Sequence, residues 1–204
     1  MLARSLFLLA CAVAASSAAE KPNFILIFAD DQGWQDLGIQ GHPDIRTPNI
    51  DRMAREGMRF TSFYAAPFCG PSRAAMMTGC YPPRVSLAFN HGPNSTTGIH
   101  PDDVTVAEML QQSGYATAFV GKWHMGAHGD DPRPGFDHWV SFRGQGNYLS
   151  PGPRYTLNVN GQRVPQKGYI TDELTDYAVD WLEEQTSEKP FFLYLSHNRP
   201  RHGK

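Results

Sequence analysis

The sequence predicts an α/β fold with a mainly parallel central sheet flanked by helices. Short, almost continuously apolar runs of strand length alternate with segments of helical periodicity, and this alternation is typical of a parallel sheet covered by helices. The chain has 204 residues, of which 41% are hydrophobic and 19% charged, so one domain with a substantial core is expected. A formal net charge of -2 gives no basic surface for nucleic acid, and no such partner is expected.

The first predicted elements lie between residues 23 and 64. Residues 23–28 (NFILIF) are typical of a strand buried on both faces. Thr47 is a candidate helix cap with Pro48 in the first helical position, and Gly57 ends this helix. Its predicted buried face consists of Ile50, Met53 and Ala54. Residues 58–64 (MRFTSFY) are predicted to form another strand.

The later elements continue the alternation. A helix is predicted over residues 104–113 with Gly114 after it, a strand over 115–120, and a last strand over 190–196. Thr171 is expected to cap a longer helix between these two strands. The residues predicted for its buried face are Leu174, Tyr177, Ala178, Trp181 and Leu182.

Residues 125–168 are rich in Gly, Pro and Asn. Such a composition predicts long surface loops. The pair Asn160-Gly161 favours a tight two-residue turn, so we expect a small hairpin there.

Residues 1–19 have the layout of a signal peptide. Arg4 provides the positive start, residues 6–15 the apolar centre, and residues 17–19 the small-residue cleavage site. The apolar run is too short for a membrane span. We therefore expect an exported protein, periplasmic or extracellular, or lysosomal if it comes from an animal. A lipoprotein signal that uses Cys11 is the alternative.

Polar side chains directly follow three of the predicted strands. Asp30 and Asp31 follow the first strand, Lys122 and His124 the middle one, and His197 the last. In open α/β sheets, ligands bind outside the carboxyl ends of the strands. We therefore expect these five side chains to converge at one rim of the sheet.

These residue types indicate a site for ions. Paired carboxylates in an exported protein suit a hard cation, Ca²⁺ first and Mg²⁺ second, although Asp30 and Asp31 could also form a solvated turn. Lys122 offers a point charge to an anionic oxygen, and His124 can give or take a proton. A lysine and a histidine that simply extend to the surface are the alternative.

The segment FCGPSRAAMMTG has the most distinctive pattern of the chain. Pro71 suits the first helical position and Gly70 the cap, so Cys69 is expected just outside a helix N-terminus, where negative charge is favoured. Arg73 in the first turn can bind an oxyanion. The pattern predicts a nucleophile beside an anion site. A disulfide between Cys69 and Cys80 is the alternative in an oxidising compartment.

Three motifs together resemble the sulfatase family. CGPSRAAMMTG is similar to the sulfatase signature Cys-x-Pro-Ser-Arg with a following Thr-Gly. PNFILIFADDQGWQDLG is similar to the family's opening strand and paired aspartates, and GYATAFVGKWHMG to its Gly-Lys-Trp-His segment. The resemblance implies an alkaline-phosphatase-like sulfatase fold, with residues 20–204 as the N-terminal part of the catalytic domain.

The resemblance also implies a modified nucleophile. Cys69 would be converted to formylglycine by a formylglycine-generating or other sulfatase-maturing enzyme. A hydrated aldehyde suits sulfate transfer, since one hydroxyl can attack sulfur and the other can later expel sulfate. This role argues against the disulfide, which would consume Cys69.

The matching residues receive further roles by resemblance. Asp30 and Asp31 would bind Ca²⁺ together with the modified Cys69. Arg73 would orient the nucleophile, Lys122 would bind the sulfate, and the imidazole of His124 would hydrogen-bond the diol. The ligand would be a sulfated small molecule or glycan.

The carboxyl-terminal residues depart from the family pattern. The family places a substrate-binding or proton-donating histidine after a proline, where this chain has Arg201, so His197 and His202 are the candidates for that role. Cys80 replaces the arginine that usually follows Thr-Gly. Nothing after Asn198 resembles the family's continuation, which supplies further metal ligands and a second lysine, so the C-terminal part is expected to be missing.

The leading hypothesis is an exported, calcium-dependent sulfatase for glycan or aryl sulfates, with an amino-sugar 6-sulfate as the family-level substrate. A phosphonate or phosphodiester hydrolase of the same superfamily is a second reading, because the same rim can hold a tetrahedral phosphorus centre. A third is an inactive anion-binding remnant, which the missing metal ligands favour.

Overall fold

The fold is a six-stranded mixed sheet with helices on both faces, as a computed structural model of residues 21–92, 94–126, 129–149 and 155–198 shows. Two short 3₁₀ helices also lie at Gly38–Gln40 and Pro82–Val85. In chain order the other elements are β1 (Phe24–Phe28), α1 (Pro48–Glu56), α2 (Cys69–Thr78), α3 (Val106–Gln112), β2 (Ala116–Gly121), β3 (His138–Ser141), β4 (Thr156–Val159), β5 (Gln162–Pro165), α4 (Ile170–Glu183) and β6 (Phe191–Ser196).

The strand order is β1-β6-β2-β3-β4-β5. The first four strands in this order are parallel, and β4 and β5 continue the sheet as an antiparallel hairpin. Parallel strands bring their carboxyl ends to the same edge, and the segments that follow β1, β2 and β6 therefore meet there. The predicted α/β class with a mainly parallel sheet is confirmed.

The core has two layers, one on each face of the sheet. Because side chains alternate along a strand, Phe119 of β2 packs on one face and its neighbours Ala118 and Val120 on the other. The first layer, under α2 and α3, is largely aromatic, and the rings of Phe119 and Trp139 stack with their centroids 4.4 Å apart. The second layer lies under α4 and is mainly aliphatic. These layers fix β2 and β6, whose carboxyl ends carry site residues.

The prediction that β1 is buried on both faces is wrong. β1 pairs only with β6 in the described sheet, so it is an edge strand. Leu26 and Phe28 pack against the aromatic layer, whereas Ile25 and Ile27 are 51% and 57% exposed on the opposite face. An apolar run can form an edge strand as well as a central strand. The run alone therefore does not predict burial on both faces.

The strand predicted over residues 58–64 is not formed. All seven of these residues are exposed, and Phe60 retains 68% and Phe63 80% of their accessible surface. A strand requires a partner edge for its backbone hydrogen bonds, and no described strand pairs with this segment. The predicted buried face of α1 is likewise wrong, because none of its residues is buried.

Three helix starts differ from the predicted ones. α2 begins at Cys69 itself, with Phe68 as the cap residue, so Cys69 lies inside the first turn and not outside it. α4 begins at Ile170 after Tyr169, one residue before the predicted cap. α3 is shorter than expected because Thr105 caps it in a reciprocal capping box with Glu108.

Residues 125–168 are less loop-like than predicted. The hairpin around Asn160-Gly161 is confirmed, with both residues at positive φ as a tight turn requires. The same region, however, contributes the buried strand β3, in which Trp139 is 1% exposed.

Cys69 and Cys80 are free thiols in the described part of the chain. Cys69 is the first residue of the ten-residue helix α2 and Cys80 lies two residues beyond its end, and the helix length of about 15 Å is more than twice the span of a disulfide. The disulfide alternative is therefore wrong. No helix within the described ranges is long and apolar enough to cross a membrane. The predicted signal peptide and Cys11 lie outside those ranges.

Candidate functional site

Three segments of the chain meet at the carboxyl edge of the sheet in a buried charge cluster. Asp30 lies two residues after β1, Lys122 directly follows β2, and Arg73 lies in the first half of α2. The three side chains are 3%, 2% and 0% exposed, respectively. The predicted convergence of Asp30 and Lys122 at one rim is thus seen in the structure, and Arg73 joins them there.

Asp30 is shared by two cations. One carboxylate oxygen lies 3.3 Å from Nη2 of Arg73, and the other accepts a hydrogen bond of 2.6 Å from Nζ of Lys122. The buried cluster therefore holds more positive than negative charge. Removal of charges from water is costly unless they are compensated, so this excess favours binding of an anion at the cluster.

Arg73 is held in place by neutral groups as well. Its Nη1 donates to the backbone oxygen of Lys122 at 2.8 Å, to the hydroxyl of Tyr194 at 3.3 Å and to the hydroxyl of Ser196. The guanidinium carbon also lies 4.8 Å from the ring centre of Phe28. Burial raises the pKa of Tyr194, so its hydroxyl stays protonated at neutral pH. The guanidinium group of Arg73 is therefore held in one orientation before any ligand binds.

Cys69 occupies the first turn of α2, next to His124. Its Sγ lies 2.9 Å from Nδ1 of His124 and 3.6 Å from Oδ1 of Asn90. The same Asn90 oxygen accepts a hydrogen bond of 2.8 Å from the backbone N–H of Gly70, which satisfies one of the free donors at the helix start. Asn90 is a site residue that no sequence pattern predicts.

His124 is neutral at physiological pH in this environment. Burial lowers its pKa to about 4, and the nearby positive charges of Lys122 and Arg73 act in the same direction, against the opposing effect of Asp30. The backbone of His124 has a φ of 53°, so the chain turns sharply after β2 and directs the imidazole toward Cys69.

Gln145 connects the lysine and the histidine. Its Oε1 accepts from Nζ of Lys122 at 2.6 Å, and its Nε2 lies 3.2 Å from Nε2 of His124. Its backbone oxygen accepts from Nδ2 of Asn198 at 2.8 Å, which ties the loop after β3 to the end of β6. Sequence reasoning missed Gln145, since its only signal is a glycine on each side.

An open cleft of about 620 Å³ lies against this cluster. This volume is ordinary for a small-molecule site. The cleft is lined by Asp30, Asp31, Gln145, Gly146, Asn147, Tyr148, Leu149 and Asn198. Cys69 does not line the cleft directly, and its link to the lining residues runs through His124 and Gln145.

Two of the three predicted metal ligands, Asp30 and Asp31, line this cleft, whereas the third, Cys69, does not. Asp31 is exposed and lines the cleft beside Asp30. Carboxylate and amide oxygens are the ligands that hard cations prefer, so the donor chemistry fits. No three His, Cys, Asp or Glu side chains of the described ranges are placed to hold one ion, and the two aspartates therefore supply only part of a coordination shell.

The two candidates for the late histidine have different positions. His197 comes directly after β6, whose last residue, Ser196, contacts Arg73 through its hydroxyl. Its Nδ1 is buried without a hydrogen-bond partner among the described residues, and burial lowers its pKa. His202 lies outside the described residues. The site role of either histidine stays a prediction.

Comparison with known proteins agrees with this geometry. Residues 22–202 match the model of the Sulfatase family. The chain is 36% identical over 200 residues to an N-acetylglucosamine-6-O-sulfatase of Bacteroides thetaiotaomicron, a match that covers 96% of this chain and 34% of the relative. It is also 36% identical to the N-acetylgalactosamine-6-sulfatase of Canis lupus familiaris, with 93% of this chain and 41% of the relative covered. The chain thus spans well under half the length of these relatives.

Solved structures show the same fold. The crystal structure of Ps i-CgsB has a TM-score of 0.82 at 40% identity, over 90% of this chain and 46% of the other. A structure in complex with its substrate D-glucosamine-2-N,6-O-disulfate has a TM-score of 0.75 at 35% identity, over 89% and 35% of the two chains. The family match spans nearly the whole chain, and the charge cluster at the sheet edge, with Cys69 nearby, agrees with it, so this chain belongs to the sulfatase family.

Proposed function

We propose that the protein carrying this chain hydrolyses sulfate esters of glycans, with residue 69 as the nucleophile. The observation that carries the proposal is the buried cluster in which Arg73 and Lys122 share the single carboxylate of Asp30. Cys69 contacts His124, on which the charges of Lys122 and Arg73 act, and a cleft of suitable size for a sugar lies beside the cluster. A sulfate ester is an anion, so its charge complements the cluster.

The substrate class follows from the relatives. Two similar proteins are named for 6-sulfated amino sugars, and a similar structure holds a 6-O-sulfated glucosamine as its substrate. The cleft offers amide side chains from Gln145, Asn147 and Asn198 and the ring of Tyr148, which suit the hydroxyls and faces of a sugar. We therefore propose a 6-O-sulfated amino sugar as the substrate unit.

Cys69 is the residue we propose for conversion to formylglycine, with a sulfatase-maturing enzyme as a transient partner. The surroundings fit hydroxyl groups at this position, because Nδ1 of His124 and Oδ1 of Asn90 both lie within contact of the side chain. Formylglycine supplies a hydrated aldehyde that can attack sulfur and later release sulfate. Arg73 would hold negative charge on the transferring group, and Lys122 would bind a sulfate oxygen.

Asp30 and Asp31 would hold a divalent cation, Ca²⁺ in preference to Mg²⁺, together with residue 69. Ca²⁺ accepts a flexible shell of six to eight oxygens, whereas Mg²⁺ demands near-ideal octahedral geometry. The cation would contribute positive charge toward a sulfate oxygen. We also propose that residues 1–19 direct export of the protein.

Turnover of N-acetylglucosamine 6-sulfate and N-acetylgalactosamine 6-sulfate tests the proposal. The protein is co-expressed with a formylglycine-generating enzyme, and the mass of the peptide with residue 69 verifies conversion. We expect calcium-dependent release of sulfate that Cys69→Ala abolishes and Cys80→Ala, at the other end of α2, retains. Converted protein that releases phosphate from an aryl phosphate but no sulfate from either sugar would contradict the proposal.

A further inference from the structure

We infer that Asn90 is a positioning residue, which holds the first turn of α2, and with it residue 69, in place beside the turn after β2. The inference rests on the proposed function only for its catalytic meaning, since the contacts belong to the unmodified chain. Asn90 lies in the loop that follows the second 3₁₀ helix. None of the three motifs that resemble the family includes it.

The first turn of α2 lacks a cap of its own. Phe68, in the cap position, has a hydrocarbon side chain and makes no capping hydrogen bond. Pro71 has no N–H, and Ser72 donates its N–H to the backbone oxygen of Phe68 at 3.0 Å. The N–H of Gly70 is instead accepted by Oδ1 of Asn90 at 2.8 Å. Asn90 therefore supplies, from a distant part of the chain, the acceptor that a cap residue normally provides.

Two further contacts join the same segments. Sγ of Cys69 lies 3.6 Å from the same oxygen of Asn90. The rings of Phe68 and Phe89 lie with their centroids 6.3 Å apart. Phe89 and Asn90 thus contact three successive residues, the nucleophile position and its neighbour on each side.

The loop that carries Asn90 is itself anchored. Leu87 is fully buried in the aromatic layer of the core. On the other side of Asn90, the imidazole of His91 lies 3.1 Å from the backbone oxygen of Ser86 and 2.9 Å from Oγ1 of Thr97. Asn90 lies between these two anchors, so its amide has a fixed base from which to hold α2.

The contribution of Asn90 should be to position more than to stability. Asn90 is exposed, so a water molecule can accept the N–H of Gly70 when the side chain is removed, and the fold should survive. Water is not attached to the loop, however, and α2 then loses its link to it. Residue 69 would no longer be held in its 2.9 Å contact with His124. Because Asn90 does not line the cleft, substrate binding there should change little.

The first test is hydrogen exchange of the Gly70 amide, measured by NMR on the full chain with unmodified Cys69. We expect Asn90→Ala to accelerate this exchange at least about fivefold and Asn90→Asp, which keeps an acceptor at the same place, to leave it within about twofold. Asn94→Ala is the matched control, since its side chain contacts Arg143 and not α2. Unchanged exchange of Gly70 in Asn90→Ala, or equal acceleration in Asn90→Asp, would overturn the inference.

The second test is the kinetics of the converted protein. We expect Asn90→Ala to lower kcat at least about fivefold and to leave KM within about twofold, because the nucleophile is displaced while the cleft is intact. Thr105→Ala removes the cap of α3 and controls for a general loss of stability, so it should retain kcat. An equal loss of kcat in Thr105→Ala, or a change confined to KM in Asn90→Ala, would refute the positioning role. If the unsubstituted protein releases no sulfate, the proposed function fails, and the exchange of Gly70 still decides whether Asn90 holds α2.

Discussion

Gly70 shows how closely the chain is packed around residue 69. A Cβ atom at this position would lie 2.8 Å from the backbone oxygen of His124 and 2.9 Å from Oδ1 of Asn90. Both distances are shorter than ordinary van der Waals contact, and the first partner is backbone that cannot rotate away. The glycine therefore permits the approach of α2 to the turn after β2, and with it the contact between Cys69 and His124.

We expect Gly70→Ala to lower sulfate-ester turnover by more than about tenfold, because a shift of about 1 Å in a reacting group can cost 100-fold in rate. Its cost in folding stability should be about 1–3 kcal/mol, the usual range for overpacking. Steady-state kinetics and urea unfolding measure the two effects. Gly168→Ala is the matched control, since a Cβ there meets no atom within 4 Å. Wild-type turnover in Gly70→Ala would show that the close contact is unimportant.

At the scale of elements, α3 depends on its cap. The helix has only seven residues, and helices this short are marginal without tertiary contacts or caps. Glu108 N–H donates to Oγ1 of Thr105, and the Glu108 carboxylate accepts from the Thr105 backbone N–H at 2.9 Å. The capping box satisfies two backbone donors and holds α3 against the aromatic layer of the core.

We expect Thr105→Ala to destabilise the protein by about 1 kcal/mol, with Thr105→Ser close to wild type, because serine retains the capping hydroxyl. Urea unfolding measured by circular dichroism provides the comparison. A loss of the same size in the serine variant would mean that the methyl group of Thr105, and not the cap, provides the stability.

The elements also show which features the sequence could predict. β2 and β6 were predicted correctly because their apolar runs are buried on both sides of the sheet. β3 was missed because four residues within a Gly- and Pro-rich region carry too little pattern. Asp30 and Lys122 were predicted from their places after strands, whereas Asn90 and Gln145 come from loops whose paths depend on tertiary contacts. The sequence pattern therefore predicts where the strands end. The loop residues that lie beside those ends are known only from the folded structure.

At the scale of the whole molecule, three histidines couple stability to pH. Burial lowers the pKa of His124, His138 and His197, to about 4 for His124. The unfolded chain, with histidine pKa values near about 6.5, binds protons more readily than the folded chain. The three histidines contribute fully to folding stability above about pH 6.5, the pKa of histidine in the unfolded chain. This contribution is lost as the pH falls toward the pKa values of the folded chain.

We therefore expect the urea midpoint of unfolding to fall between about pH 7.5 and about pH 5, the range in which unfolded histidines take up protons. His138→Gln should reduce this pH dependence, because its Nε2 is buried without a hydrogen-bond partner among the described residues and remains costly to charge. Unfolding curves at both pH values in both proteins measure the effect. Equal pH slopes for the two proteins would contradict the assignment to His138.

The position of β6 has a consequence for the order in which the molecule can form. β6 is last in chain order among the described strands, yet it separates β1 from β2 in the sheet. In the sheet of the described residues β6 is the strand that pairs with β1, so this pairing cannot form during synthesis until residues 191–196 have left the ribosome. At about 5–20 residues per second, the intervening stretch of about 160 residues takes roughly 10–30 seconds to translate. For that period β1 and β2 lack the strand that joins them, and nothing in the described sheet holds the segments with Asp30 and Lys122 side by side.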